Sequence, residues 1–91
     1  MATYNVNRAK HVALGAAAED VVNFAYVGDT IRVRNRDATS GISFTLDGTA
    51  ATVDGDDTYY CGPGESVIVE TKFRTVRLIS SGAPTYSVEV Y

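Results

Sequence analysis

Along most of the chain, hydrophobic and polar residues alternate with a period of two, in short segments rich in Val, Ile, Thr, Tyr and Phe separated by turn-forming residues. Successive side chains of an extended strand point to opposite faces, so each segment predicts a half-buried strand. The clearest spans residues 31–36, where Ile31 and Val33 alternate with Arg32, Arg34 and Arg36. In the next, Ile42, Phe44 and Leu46 alternate with Ser43 and Thr45. Residues 58–61, 65–72, 74–80 and 85–91 continue the pattern, and residues 9–14 and 20–26 precede it. Residues 15–20 read equally as a helical turn or a loop.

The punctuation between these segments is specific. Gly28-Asp29, Asp47-Gly48, Gly62-Pro63-Gly64 and Ser81-Gly82-Ala83-Pro84 carry the glycine, proline and aspartate chemistry of tight turns. Residues 37–41 form a loop, and residues 49–57, rich in Thr, Ala, Gly and Asp, form the longest irregular stretch. About eight short strands with such spacing predict an all-β fold, a small antiparallel β-sandwich or barrel of jelly-roll or immunoglobulin-like type. No connection is long enough for the helix of a βαβ crossover. Residues 9–91 form the single domain. Residues 1–8, polar with isolated hydrophobes, predict an N-terminal arm that orders against a neighbour. The inward-facing set is Ile31, Val33, Ile42, Phe44, Leu46, Val67, Val69, Val76, Leu78, Tyr86, Val88 and Val90, with Tyr26 placed at the core or a corner.

Composition narrows the range of functions. With 91 residues there is room for one core, and 45% hydrophobic with 21% charged residues is ordinary globular chemistry. A formal charge of −3 lacks the Lys/Arg excess that phosphate backbones demand, so nucleic acid is not the expected partner. No apolar run approaches the roughly 20 residues that span a bilayer, and no membrane partner is expected. Residues 1–18 lack the continuous apolar stretch of a signal peptide, so synthesis in a cytoplasm is expected; the lone cysteine, Cys61, predicts stability without an intramolecular disulfide.

No constellation for catalysis stands out, and the chain reads as a non-enzyme without a cofactor. His11 is the single histidine, and no Ser or Cys occupies a recognisable nucleophile setting, so His11 is read as a strand residue and Cys61 as a small buried hydrophobe. Asp47, Asp54, Asp56 and Asp57 bracket a glycine-containing loop, but they match no calcium-binding spacing, and a solvated loop is the simpler reading. No metal is assigned.

Contact chemistry is easier to find. Arg32, Arg34 and Arg36 share one strand face, with Arg77 placed on a neighbouring strand at the same exposure. The stripe either pairs across strands with Glu70 or Glu89 or forms a docking surface, for which arginine's planar fork is well suited. Of the six tyrosines, Tyr4, Tyr59, Tyr60 and Tyr91 are the interface candidates.

From residue 31 onward, the chain resembles small virion structural proteins of tailed actinobacteriophages. The resemblance is carried by Val33-Arg34-Asn35-Arg36-Asp37, by Ile42-Ser43-Phe44-Thr45-Leu46-Asp47-Gly48-Thr49, by Gly55-Asp56-Asp57-Thr58-Tyr59, and by residues 76–88 with their Leu78-Ile79-Ser80-Ser81-Gly82 hairpin. It departs from that pattern at Tyr60-Cys61-Gly62-Pro63-Gly64, where the family has an aliphatic residue and a Pro-Ala turn. The resemblance implies capsid decoration or another minor virion role, with first place given to a decoration protein on the exterior of the virion that binds the major capsid protein of the assembled head and stabilises it. It also implies a homo-oligomer, with a trimer as the first expectation. The alternative from another class is a carbohydrate- or receptor-binding module of a head or tail fibre.

Overall fold

The computed structural model describes residues 2–15, 18–56 and 58–90. Seven strands are present among them: β1 (Ala2–Val6), β2 (Ala9–Ala13), β3 (Asp20–Asn35), β4 (Ile42–Thr45), β5 (Tyr59–Cys61), β6 (Ser66–Ile79) and β7 (Thr85–Val90). They are hydrogen-bonded in the order β2-β7-β3-β6-β4-β5, with β1 added alongside β3. Every pairing is antiparallel except β1 with β3, which is parallel and needs no helical crossover because β2 lies between them in the chain.

The two long strands organise the rest. Sequence alternation separates residues 20–26 from 31–36, and 65–72 from 74–80, yet each pair is one continuous strand, β3 or β6. Gly28-Asp29, expected as a turn, lies inside β3 at a pair of register shifts: Asn23 pairs with Thr75, Gly28 with Phe73 and Thr30 with Glu70. A bulge of this kind exchanges the faces of a strand. Val22 and Phe24 are buried before it, and Ile31, Val33 and Asn35 after it. Gly28 is required there by packing, because a Cβ at this position would overlap Val90 Cγ2 and lie 3.0 Å from Phe73 Cε1.

The bend folds the sheet onto itself. One half-sheet contains β2, β7, the end of β3 and the start of β6; the other contains β1, the start of β3, the end of β6, β4 and β5. Between the halves lie Leu14, Val22, Phe24, Ile31, Val33, Ile42, Phe44, Leu46, Cys61, Phe73, Val76, Leu78, Tyr86 and Val88. Phe24 and Phe73 meet edge to face at 5.6 Å, the geometry that aromatic quadrupoles favour. Val67, Val69 and Val90, expected inside, are only partly buried and pack on the rim of this core. Tyr26, expected at the core or a corner, is 58% exposed at the bend.

Residues 2–6, expected within a loose arm, are instead the strand β1, with Tyr4 and Val6 packed against the core. The alternation of Thr3 and Asn5 with Tyr4 and Val6 is strand alternation, and β3 supplies the partner edge. No described helix is long and apolar enough to cross a membrane.

Candidate functional site

The loops at the ends of β3 and β4 are built from the motifs that carry the phage resemblance. The Asn35 side chain donates to Ser40 O at 2.6 Å and Cys61 O at 3.3 Å, tying the end of β3 to β5. Asp37 Oδ2 accepts from the Ser40 amide at 2.8 Å and from the amide and hydroxyl of Thr39 at 3.1 Å each. These donors, with the Ser40 amide foremost, hold the Asp37 carboxyl below its ordinary pKa. Asp47 repeats the device: its Oδ1 accepts from Thr49 Oγ1 at 2.6 Å and from the Thr49 amide at 3.1 Å, which lowers its pKa too. In the Gly62-Pro63-Gly64 turn, the Glu65 amide donates to Gly62 O at 3.0 Å and Gly64 takes φ +70°, as a type II turn with proline second and glycine third requires.

The aspartate loop is partly a lid on β4. The Asp54 amide donates to Ser43 Oγ and Thr45 Oγ1 donates to Thr49 O, so the polar face of β4 is covered and all four of its residues are buried. Asp47, Asp54 and Asp56 are exposed, and Asp57 lies outside the described residues. Among the described residues no three or more His, Cys, Asp or Glu side chains are gathered to hold a metal ion. Cys61 is buried, its thiol donating to Glu65 O at 3.2 Å, and burial pushes its pKa up. His11 Nδ1 lies 2.6 Å from Ser87 Oγ.

The arginines do not form one stripe. Arg32 pairs with Glu89 at 3.2 Å, across the strands, while its Nε is buried with no partner among the described residues. Arg34 is exposed, with Nε 3.4 Å from Ser66 Oγ. Arg36 follows the last residue of β3 and is also exposed, its amide donating to Thr85 O. Arg77 belongs to the other half-sheet. It pairs in register with Val21 and Thr45, whereas Arg32 pairs with Ile68, nine positions or about 30 Å earlier along β6 at ordinary strand rise. Its Nε and Nη2 grip Glu19 Oε1, the first at 2.9 Å, and its Nη1 donates to Gly48 O at 3.0 Å. Glu19 Oε2 accepts from the Ala51 amide at 2.7 Å. Arg77 is therefore a staple between β6 and the loop over β4. Sequence alone offered no sign of Glu19, because an alanine run precedes it.

The tyrosines divide in the same way. Tyr4 is half-buried, with Lys10 Nζ 4.3 Å from its ring centroid. Tyr91 lies outside the described residues. Tyr59 and Tyr60, adjacent on the edge strand β5, are 42% and 54% exposed. The Tyr59 ring stacks on Phe44 at 5.3 Å and 22°, and the Tyr60 ring lies over Gly41. Tyr59 also lines an open cleft of about 420 Å³ together with Leu46, Asp47, Thr58, Thr71 and Lys72. The sequence marked the tyrosines but not the cleft, which opens where β4 ends and Leu46-Asp47 diverges from β6.

No family model matches the chain, and no curated protein matches it. Among solved structures it is similar to the pre-peptidase C-terminal domain of a collagenase from Bacillus anthracis, with a TM-score of 0.52 and 15% identity over 99% of this chain and 93% of that one. The likeness is one of fold. It supports the small β-sandwich and says nothing of what this surface meets.

Proposed function

We propose that this protein is a phage virion structural protein, a capsid decoration protein that binds the major capsid protein on the outer surface of the assembled head. The observation that carries the reading is the β5 edge. Tyr59 and Tyr60 are both exposed at this edge, on opposite faces of the strand, Tyr59 stacked on Phe44 and Tyr60 lying over Gly41, so a partner that meets the edge gains aromatic area. The phage assignment itself is supported by the resemblance of the Asn-Arg-Asp, Asp-Gly-Thr and Leu-Ile-Ser-Ser-Gly segments. A ligand that binds only the assembled shell stabilises that state by mass action. Sedimentation of the purified protein with empty heads tests the proposal. Co-sedimentation at micromolar protein, weakened by Tyr60→Ala, is expected; a protein that stays in the supernatant overturns it.

A second reading, a carbohydrate-binding module of a fibre, is favoured by one observation: the cleft beside Tyr59 combines an aromatic ring with Asp47, Thr58, Thr71 and Lys72, the mixture of apolar and polar groups usual in small-ligand sites. Glycan-array binding abolished by Tyr59→Ala, with no affinity for heads, would favour it over decoration.

A further inference from the structure

The first half of β6 is an uncovered strand edge. Residues 66–70 pair with β3 on one side, while β4 pairs only with Arg77, Leu78 and Ile79 further along. In a strand half of the backbone N–H and C=O groups point to each side, so Ser66-Val67-Ile68-Val69-Glu70 presents a row of them without a neighbouring strand. Two of the other edges carry devices against pairing, and the outer edge of β1 is the five residues Ala2–Val6. On β2, Lys10 shares the inward face of Val12 and lies over the Tyr4 ring; β5 has three residues and runs into Gly62-Pro63. The β6 edge has no such device, and Ile68 at its centre is 60% exposed.

We infer that this edge joins a second copy of the chain, the two β6 strands pairing antiparallel about a two-fold axis at Ile68 to give one continuous sheet across the dimer. The straight register from Ser66 to Glu70 has Ile68 at its midpoint, so a dyad there uses all five residues. It sets Ile68 against Ile68 of the other copy, Val67 against Val69, and Ser66 against Glu70. Two exposed isoleucines then cover each other on the outer face, and the valines extend the half-buried inner face.

Charge complementarity selects the same register. Arg34 and Glu70 are both exposed, and neither has an oppositely charged partner among the described residues. Arg34 lies beside Ser66 on the same rung of the sheet, its Nε 3.4 Å from the Ser66 hydroxyl. Pairing Ser66 with Glu70 of the other copy puts that carboxylate on Arg34's rung, two strand spacings or about 9.5 Å away in backbone terms, a span that an arginine and a glutamate side chain close between them. The axis generates the pair twice. A two-fold contact of this kind is closed and stops at two subunits, in contrast to the trimer implied by the phage resemblance. The inference is independent of what the protein docks on.

Sedimentation equilibrium of the 91-residue chain tests it. The expected mass rises with concentration from the 9.7 kDa monomer to twice that value and no further. Ile68→Lys, at an exposed site, should leave the circular dichroism and melting curve of the monomer intact and raise the dimer dissociation constant by more than about tenfold. Arg34→Glu and Glu70→Arg should each weaken the dimer, and the double variant should restore it. Ile68→Cys should cross-link into a dimer on mild oxidation, because paired residues in an antiparallel ladder have Cα atoms within disulfide reach; Glu70→Cys, which faces Ser66, should not. A mass fixed at that of the monomer through the high micromolar range, a trimer, a dimer indifferent to Ile68→Lys, or a charge swap without recovery each overturns the inference.

Discussion

The phenolic hydroxyl of Tyr86 donates a 2.9 Å hydrogen bond to Asp20 Oδ2 across the core. In the sheet Tyr86 pairs with Asn35, at the opposite end of β3 from Asp20. Those two ends would lie about 50 Å apart on a straight strand, so this bond exists only because the bulge around Gly28 folds the sheet over. Both partners are almost fully buried. Burial drives the Asp20 pKa up, more than the Tyr86 hydroxyl and the Ala2 amide draw it down, and the Tyr86 phenol is raised far above its usual range by burial and by the neighbouring carboxylate.

Asp20 therefore makes stability fall with rising pH. A carboxyl with a raised folded pKa binds its proton more tightly in the folded state. Its contribution is complete below its ordinary value of 3.8 and is lost as pH rises through the raised value. Asp37 and Asp47, with lowered values, act in the opposite sense: they stabilise above that ordinary value and lose this as pH falls. Comparing wild type with Asp20→Asn isolates the first effect. The melting temperature of the wild type should decline relative to the variant as pH is raised from about 4 to 7. Tyr86→Phe, which leaves the buried Asp20 carboxyl without its tyrosine partner, should cost about 1–3 kcal/mol in denaturant unfolding.

Gly28→Ala is expected to destabilise the fold without touching any exposed surface. The added methyl meets Val90 and the Phe73 ring, and Phe73 is itself fixed edge-on to Phe24. Overpacking of this kind costs about 1–3 kcal/mol. Equilibrium unfolding in urea measures it, and a variant as stable as wild type would mean that the bend is looser than its packing implies.

Arg77→Ala should lower stability by about 1–3 kcal/mol, the range for hydrogen bonds to charged groups whose partners are left partly buried, and leave partner binding untouched. Its guanidinium holds Glu19 and Gly48 O, and Glu19 in turn holds the Ala51 amide, so amide hydrogen exchange should quicken in residues 47–52 above all. Arg34→Glu is the contrast: it breaks no ion pair among the described residues and should hardly move the melting temperature of the monomer.

The contrast also marks what alternation can and cannot reveal. Period-two alternation places Ile42, Phe44, Val76, Leu78, Tyr86 and Val88 inside, and all are buried. The bend was not legible, because Gly28-Asp29 has the composition of a turn and only the pairing with Phe73 shows it inside a strand; a glycine within a strand pattern is equally the mark of a bulge or a close contact. Arg77 looked like a surface cation because its partner, Glu19, lies 58 residues away in the chain. Tyr59 and Tyr60 were legible as surface candidates, whereas the cleft beside them depends on where β4 and β6 diverge, which local pattern does not encode.

Gly41 gives a test of the Tyr60 surface that leaves Tyr60 in place. A Cβ at Gly41 would run into the outer end of the Tyr60 ring, the hydroxyl, Cε1 and Cζ, and not into backbone. Because that ring is 54% exposed, it can swing away by changing rotamer, at a cost of about 1 kcal/mol or less. Gly41→Ala should therefore fold with nearly wild-type stability but present Tyr60 in another direction. If the β5 edge is the contact with the head, Gly41→Ala should weaken co-sedimentation by about as much as Tyr60→Ala does, since an anchor turned away from its pocket contributes no more than one removed. Melting curves and head-binding isotherms of the two variants, measured side by side, decide the matter: equal losses of binding at unchanged stability place the contact on Tyr60, and wild-type binding by both removes Tyr60 from the docking surface.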